Sequence, residues 1–312
     1  MVFWANYSIN MSSNSIKLKS TVMKILVPID FSERSKKALE VADKFAEVFN
    51  GMVTPYYSHL PISELDEPYA LGMSSKMYQK FEDLEQTLHD RAADIAAQFI
   101  ASERLSTPVI GLGNAAQGII DTSEDFDYII MSSHGRTGFS RLLLGSVAEK
   151  VLRLAHTPVM IVENESEVGK FERILLTTDF SDNAAFAYPY ARKIIEKTGG
   201  TIDLIHVLSF DQFDEKEKDL SLRKIREERL KLLKREHFND IVKQVHEKVI
   251  VTQDTPHEAI YNHVQKHDYN LIVMATVGRT GINYLMMGST TANLVRHVKT
   301  AILSVNPRKP GS

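Results

Sequence analysis

Two short glycine-bearing segments hold the residues best placed to do chemistry. In one, Ser132-Ser133-His134-Gly135 is separated by nine residues from Gly145-Ser146. In the other, Ala275-Thr276-Val277-Gly278 is separated by nine residues from Gly288-Ser289. Glycine lets a backbone approach an anion closely and reach positive φ. A helix opening at Gly145-Ser146, or at Gly288-Ser289, would turn its free N–H groups and positive dipole end toward that anion. The Ser146 and Ser289 hydroxyls add a donor each. The chemistry indicated is phosphate binding. A plainer reading competes: a Gly-x-x-Gly turn and a Gly-Ser helix cap need no ligand, and a duplication would preserve such a turn. Two copies at identical spacing, both behind an apolar run, favour the ligand.

Catalytic equipment is not evident beside these loops. No Gly-x4-Gly-Lys-Ser/Thr segment occurs, so the phosphate-binding lysine and metal-bound hydroxyl of that motif are missing, and no kinase catalytic-loop sequence appears. The expectation is a binding protein with no catalytic residues. Asp30 and Asp179 resemble catalytic acids by position but serve equally as caps for a following helix. His59 and His206 read as strand-end packing or hydrogen-bonding residues. The histidines between His237 and His267 are expected to be scattered without metal-ligand spacing. Arg136 and Arg279 could reach a phosphate or point to water. The mixed-charge run Asp211–Glu236 reads as a solvated helix face with ion pairs.

The elements that must position these loops occur twice. Ile25-Leu26-Val27-Pro28-Ile29-Asp30-Phe31-Ser32 returns as Ile174-Leu175-Leu176-Thr177-Thr178-Asp179-Phe180-Ser181, an offset of 149 residues. Gly135-Arg136-Thr137-Gly138 and Gly145-Ser146 return at an offset of 143, as does the run Thr157–Val162 at Thr300–Val305. The repeat divides the 312 residues into a disordered extension at 1–22, one domain at 23–165 and a second at 170–307. Strands are expected at Lys24–Ile29, Met52–Ser58, Pro108–Gly111, Asp127–Met131 and Thr157–Val162. In the second copy they fall at Arg173–Thr178, Thr201–Val207, Lys248–Val251, Leu271–Ala275 and Ala301–Val305. Pro55 inside the second strand predicts an edge or a bulge. Helices are expected at Ala38–Phe49, Ser74–Ser102, Ala115–Glu124, Ser146–Leu154, Asn183–Lys197, Glu215–Phe238, Pro256–Lys266 and Ser289–Val298. Strand–helix alternation with strongly apolar strands implies an α/β fold, a parallel sheet covered on both faces. Such sheets bind ligands beyond the carboxyl ends of their strands, where strand order reverses.

The composition sets the outer limits. The chain has no cysteine and a formal charge of −3. That excludes disulfides, thiolate nucleophiles and cysteine-ligated metals, and fits the cytoplasm. The near-neutral charge provides no basic footprint for nucleic acid, and no stretch is long and apolar enough to span a membrane.

Pro-Ile-Asp-Phe-Ser at 28–32, Ser-Ser-His-Gly-Arg-Thr-Gly at 132–138 and Leu-Leu-Leu-Gly-Ser-Val-Ala-Glu at 142–149 together resemble the universal stress protein family. The spacing Gly-x2-Gly-x9-Gly-Ser/Thr is similar to that of its ATP-binding branch. The resemblance implies two tandem doubly wound five-stranded parallel-sheet domains of the adenine-nucleotide α-hydrolase type, related by a pseudo-two-fold axis. It implies fifth strands meeting across an internal interface, as in a fused dimer, with further pairing into a homodimer. It also implies an adenine nucleotide, ATP with Mg²⁺ on its phosphates.

Carried over residue by residue, Pro28, Asp30 and Asp179 would contact base and ribose, with Met131 and Met274 on the adenine side. Gly135, Gly145, Ser146 and Val147 would hold ribose and phosphates in one copy, and Gly278, Gly288, Ser289 and Thr290 in the other. Val207 matches a position that packs on adenine, with Ser58 as its counterpart. Ser132 and Ala275 stand where the family has its first loop glycine, so a positive φ there would be strained. His134 is answered by Val277, and Pro28 by Thr177. The first copy keeps more of the loop pattern and the second the better second strand, and the loop pattern favours the first as the site that fills. A slow ATP-hydrolysing enzyme and a nucleotide-free partner-binding module are the alternatives. The Ser-Gly-Gly-x-Asp-Ser run of the pyrophosphatase branch is absent, which counts against the enzyme.

Overall fold

The computed structural model describes residues 22–59, 75–135, 144–166, 169–210, 216–278 and 287–307. The expected extension falls, but for Val22, outside these residues, as do Arg136 and Arg279.

The first copy runs β1 (Lys24–Pro28), α1 (Glu33–Phe49), β2 (Met52–His59), α2 (Ser75–Ala96), β3 (Val109–Leu112), α3 (Ala115–Thr122), β4 (Tyr128–Ser132), α4 (Ser146–Leu154) and β5 (Val159–Val162). The second runs β6 (Arg173–Thr177), α5 (Asp182–Ala185), α6 (Tyr188–Thr198), β7 (Thr201–Ser209), α7 (Lys216–His237), β8 (Val245–Thr252), α8 (Pro256–Val264), β9 (Leu271–Ala275), α9 (Ser289–His297) and β10 (Ala301–Val305). The strands form one sheet in the order β3-β2-β1-β4-β5-β10-β9-β6-β7-β8. Within each copy every pairing is parallel, and strand order reverses between β1 and β4 and between β6 and β9. The copies join where β10 pairs antiparallel with β5, Ile302 opposite Ile161 and Leu303 opposite Met160. The carboxyl ends of the two strand sets therefore point to opposite edges of the sheet.

Alternate residues of the buried strands feed two cores. Ile25 and Val27 lie on the sheet face that α1, α2, α6 and α7 cover, whereas Leu26, Ile129 and Met131 lie on the face that α3, α4, α8 and α9 cover. The first core crosses between the copies through aromatic rings. Phe45 of α1 meets Tyr128 at 5.0 Å and Phe171 at 5.2 Å, both edge-on. Polar contacts tie the same junction: Asn306 Nδ2 donates to the Arg153 and Ala155 carbonyls at 3.1 and 3.2 Å, and Ser166 Oγ donates to the Lys299 carbonyl at 2.6 Å.

Several expectations need correction. Of the edge or bulge expected from Pro55, the edge is absent, since β2 lies between β3 and β1, and the bulge is found on the neighbouring chain. Val53 directs its N–H and C=O toward the β3 side, at Arg104 and Ser106, so Pro55 faces that side too. There the ladder is interrupted: Val53 pairs with Leu105 and Tyr56 with Val109. Three steps along β2 thus face four along its neighbour, and the missing N–H falls where the neighbouring chain bulges away. The helix expected over Asn183–Lys197 is two helices, because Pro189 in the first turn of α6 lacks an N–H and would clash with the carbonyl four residues earlier. β8 starts at Val245, before the expected Lys248, since His246 and Lys248 at an exposed edge mask the alternation. α2 ends at Ala96; Phe99 continues the apolar period but packs from the turn that follows.

Replacing Phe45 with Ala should remove ring contacts on both sides of the junction. The expected loss is about 3–5 kcal/mol, read by chemical denaturation, with the two copies still unfolding in one transition at a lower midpoint.

Candidate functional site

Each first strand ends in a sharp turn built the same way twice. Ser32 donates to Asp30 Oδ1 from its backbone N at 3.0 Å and from its hydroxyl at 2.5 Å. Ser181 does the same to Asp179 at 2.9 and 2.6 Å. The serine oxygens also cap the next helices, accepting from Ser35 N and Ala184 N. The residue between acid and serine is forced left-handed: φ is 65° at Phe31 and 62° at Phe180. A non-glycine residue there is strained and must be held. Phe31 stacks on Tyr57 at 4.5 Å beneath Arg91, and Phe180 packs on His206 at 4.4 Å beneath Arg229.

The glycine loops press against these turns. A Cβ on Gly135 would stand 2.6 Å from Asp30 Oδ2, and a Cβ on Gly278 would stand 2.6 Å from Asp179 Oδ2. Close approach, not backbone conformation, requires glycine here: neither residue has positive φ. Ser132 and Ala275 also have negative φ as the last residues of β4 and β9, so the strain expected of them does not arise. Gly145 and Gly288 are the N-caps of α4 and α9, each with its amide bonded back into its loop at 2.9 Å, to Ser133 and Thr276 respectively. Unlike Ser32, Asn114 and Ser181 elsewhere, these caps supply no side chain to the first helical turn. The residues that open α4 and α9 line the clefts with no capping side chain on their first turn.

The first cleft, about 320 Å³, brings together every residue expected of its copy. Pro28 and Asp30 come from the end of β1, Met131 and Ser132 from the end of β4, and Gly135, Gly145, Ser146 and Val147 from the loop and α4. The second, about 490 Å³, does the same with Asp179, Val207, Met274 and Ala275, and with Gly278, Gly288, Ser289 and Thr290. Sequence reasoning missed the wall made by α3 in one copy and by α8 with its cap in the other: Ala115 and Ile119, and Thr255, His257 and Ile260. The Thr255–Glu258 capping box that opens α8 is legible in the sequence and could have placed this wall. Tyr56 and Tyr57 were also missed. Tyr56 stays close to its neighbours because Gly111 and Gly118 leave room for its hydroxyl.

Among the described residues, few charged side chains line the clefts. Burial lowers the affinity of His134 for a proton, and nearby Arg34 adds to this, so the ring is neutral at pH 7 and pairs through Nδ1 with Ser133 Oγ at 2.7 Å. Burial raises the pKa of Glu163 behind it, against the opposing pull of the Ser133 hydroxyl and Arg34. The run expected as a solvated face carries surface pairs, Arg223–Glu227 and Lys231–Glu228, and Arg229, itself exposed, lies over the Phe180 ring and donates to the Phe180 carbonyl at 3.2 Å. The histidines are not all scattered. His263 and His267 are four apart with rings 4.1 Å apart, but His263 Nε2 is engaged with Tyr269 Oη at 3.0 Å. Among the described residues no three His, Asp or Glu side chains are grouped to hold a metal ion.

The model of the universal stress protein family matches the chain twice, at residues 21–163 and 170–306. A universal stress protein of Methanocaldococcus jannaschii is 30% identical over 142 residues, 45% of this chain and 81% of that one. One from Mycolicibacterium smegmatis is 23% identical over 294 residues, 91% of this chain and 97% of its own. The crystal structure of a universal stress protein from Archaeoglobus fulgidus superposes with a TM-score of 0.59 at 26% identity, covering 91% of this chain and 98% of that one. With the repeat, the paired clefts and the matches in agreement, the chain belongs to the universal stress protein family and carries two of its units in tandem.

Proposed function

We propose that the clefts bind an adenine nucleotide, ATP with Mg²⁺ carried on its phosphates, and that the protein acts in stress response or signalling by holding it. The observation that carries this reading is the duplicated pairing of a glycine-capped helix start with an acid at the end of the first strand, both lining one cleft. The first-turn amides of α4 and α9 and the hydroxyls of Ser146 and Ser289 suit phosphate oxygens. Asp30 and Asp179 suit ribose hydroxyls, and Met131, Met274 and Val207 offer apolar surface to a base. The cleft volumes are those of small-ligand sites. With the acids engaged in turns and a loop geometry that lacks the P-loop lysine, the site is suited to retention rather than rapid turnover. Because local amides and not net charge hold the anion, affinity should depend weakly on salt. A cysteine-free chain of this kind suits the cytoplasm.

Titration calorimetry with Mg-ATP should give saturable binding tighter than about 1 mM. Absence of such binding refutes the reading in favour of a nucleotide-free partner-binding module, and release of several phosphates per second refutes it in favour of an enzyme. Ser146→Ala with Ser289→Ala should weaken binding about tenfold, the loss of one hydrogen bond to a charged group in each cleft.

The close approach of glycine to acid gives a second prediction. Gly135→Ala should destabilise the protein by about 1–3 kcal/mol through overpacking. In an Asp30→Ala background the same substitution should be nearly neutral, a coupling that a double-mutant cycle of denaturation midpoints measures.

A further inference from the structure

The two clefts are not built alike. In the second copy the turn carrying Asp179 is fastened from several sides. Thr178 Oγ1 pairs with Tyr188 Oη at 2.6 Å and accepts from the strained Phe180 amide at 2.9 Å. His206 Nδ1 donates to the Thr178 carbonyl at 2.8 Å, and Arg229 donates to the Phe180 carbonyl at 3.2 Å. Asn183 Nδ2 donates to the Gly278 carbonyl at 3.3 Å, joining the acid's turn to the glycine loop. Burial pushes the Tyr188 hydroxyl up to about 12, so it stays protonated and hydrogen-bonding across the physiological range.

The offset of 149 places Ile29 at the position of Thr178, Leu39 at that of Tyr188, Tyr57 at that of His206 and Arg34 at that of Asn183. Isoleucine and leucine have no hydroxyl, so Ile29 and Leu39 cannot form the Thr178–Tyr188 bond or the Thr178 bond to the Phe180 amide. Both copies bear a left-handed phenylalanine, and among the described residues this network holds the second. The apolar side of the second cleft is also better suited to a planar base: Val207 and Ile205 stand where the first has Ser58 and Tyr56.

We propose that the second cleft is the tight nucleotide site and the first the weak one, with Thr178 and Tyr188 as positioning residues for the Asp179 turn. This rests on the reading that the clefts hold ATP. A turn already ordered before the ligand arrives loses less conformational freedom on binding, and the difference appears as affinity.

The test is titration of the full chain with Mg-ATP in the wild type and in the Asp30→Ala, Asp179→Ala, Tyr188→Phe and Thr178→Val variants. The wild type should bind in two phases whose dissociation constants differ at least about tenfold. Asp179→Ala should abolish the tight phase, and Asp30→Ala the weak one. Tyr188→Phe and Thr178→Val nearly preserve side-chain volume; each should weaken the tight phase about five- to tenfold and leave the weak phase where it was. Two phases of equal affinity, or loss of the tight phase in Asp30→Ala, overturn the assignment. A lowered melting temperature in Tyr188→Phe and Thr178→Val with both dissociation constants unchanged overturns the positioning role. No binding in the wild type overturns the ATP reading itself, and this inference with it.

Discussion

The antiparallel pairing of β10 with β5 is the constraint on which the rest of the molecule depends. Each copy alone would leave a fifth strand with a row of unpaired backbone groups and an apolar sequence, Val159–Val162 or Ala301–Val305, at a sheet edge. Such an edge invites pairing with another chain. Joining the two satisfies both edges at once and makes the strands buried in every direction. Antiparallel pairing also decides where function can be. Strands of the two copies run in opposite senses, so their carboxyl ends, and the clefts beyond them, lie at opposite edges of one sheet. A ligand in one cleft therefore does not touch a ligand in the other. Any influence between them has to pass through the shared core, where Phe45, Tyr128 and Phe171 lock the copies together.

Within each cleft the organising contact is smaller: a carboxylate against a glycine. Asp30 and Asp179 have one oxygen committed to the following serine, which fixes the carboxyl plane, and the other oxygen lies 2.6 Å from where a Cβ of Gly135 or Gly278 would stand. The left-handed phenylalanine between acid and serine is the backbone counterpart of that arrangement. It turns the chain sharply enough for the serine to serve the acid and the helix cap together. The same few residues thus end the strand, begin the helix and shape one wall of the cleft.

Much of this was legible in the sequence because it rests on local rules. Apolar runs bounded by Asp, Ser and Gly marked the strands, and the repeat made each copy a check on the other. All sixteen residues assigned to the sites line the clefts, because the loops that carry them follow strands whose carboxyl ends must converge. What escaped depends on tertiary pairing. Pro55 signalled an edge or a bulge, but that the sheet continues past it and the bulge lies on the neighbouring chain is nothing Met52–Ser58 contains. That Gly135 and Gly278 approach an acid of the protein itself also escaped, because contact with a residue over a hundred positions upstream in one copy, and nearly a hundred in the other, is not a local property. Arg229 stays on the solvated face that its run predicts, and its bond to the Phe180 carbonyl follows from the position of that turn, which the run does not contain.

The difference between the copies shows why loop motifs alone are a poor guide to which site is better made. Judged by the loop, the first copy is the more faithful, since it keeps His134 and Pro28 where the second has Val277 and Thr177. Behind the loop, the described residues of the second copy form a side-chain network that Ile29 and Leu39 cannot build in the first. Thr178, Tyr188 and His206 lie on three different elements and converge on one strained turn. A loop sequence specifies what a backbone can do; its supporting side chains determine how much of the time it does it. Duplication followed by divergence can act separately on these two properties. In this chain the motif is better kept in one copy and the support better developed in the other.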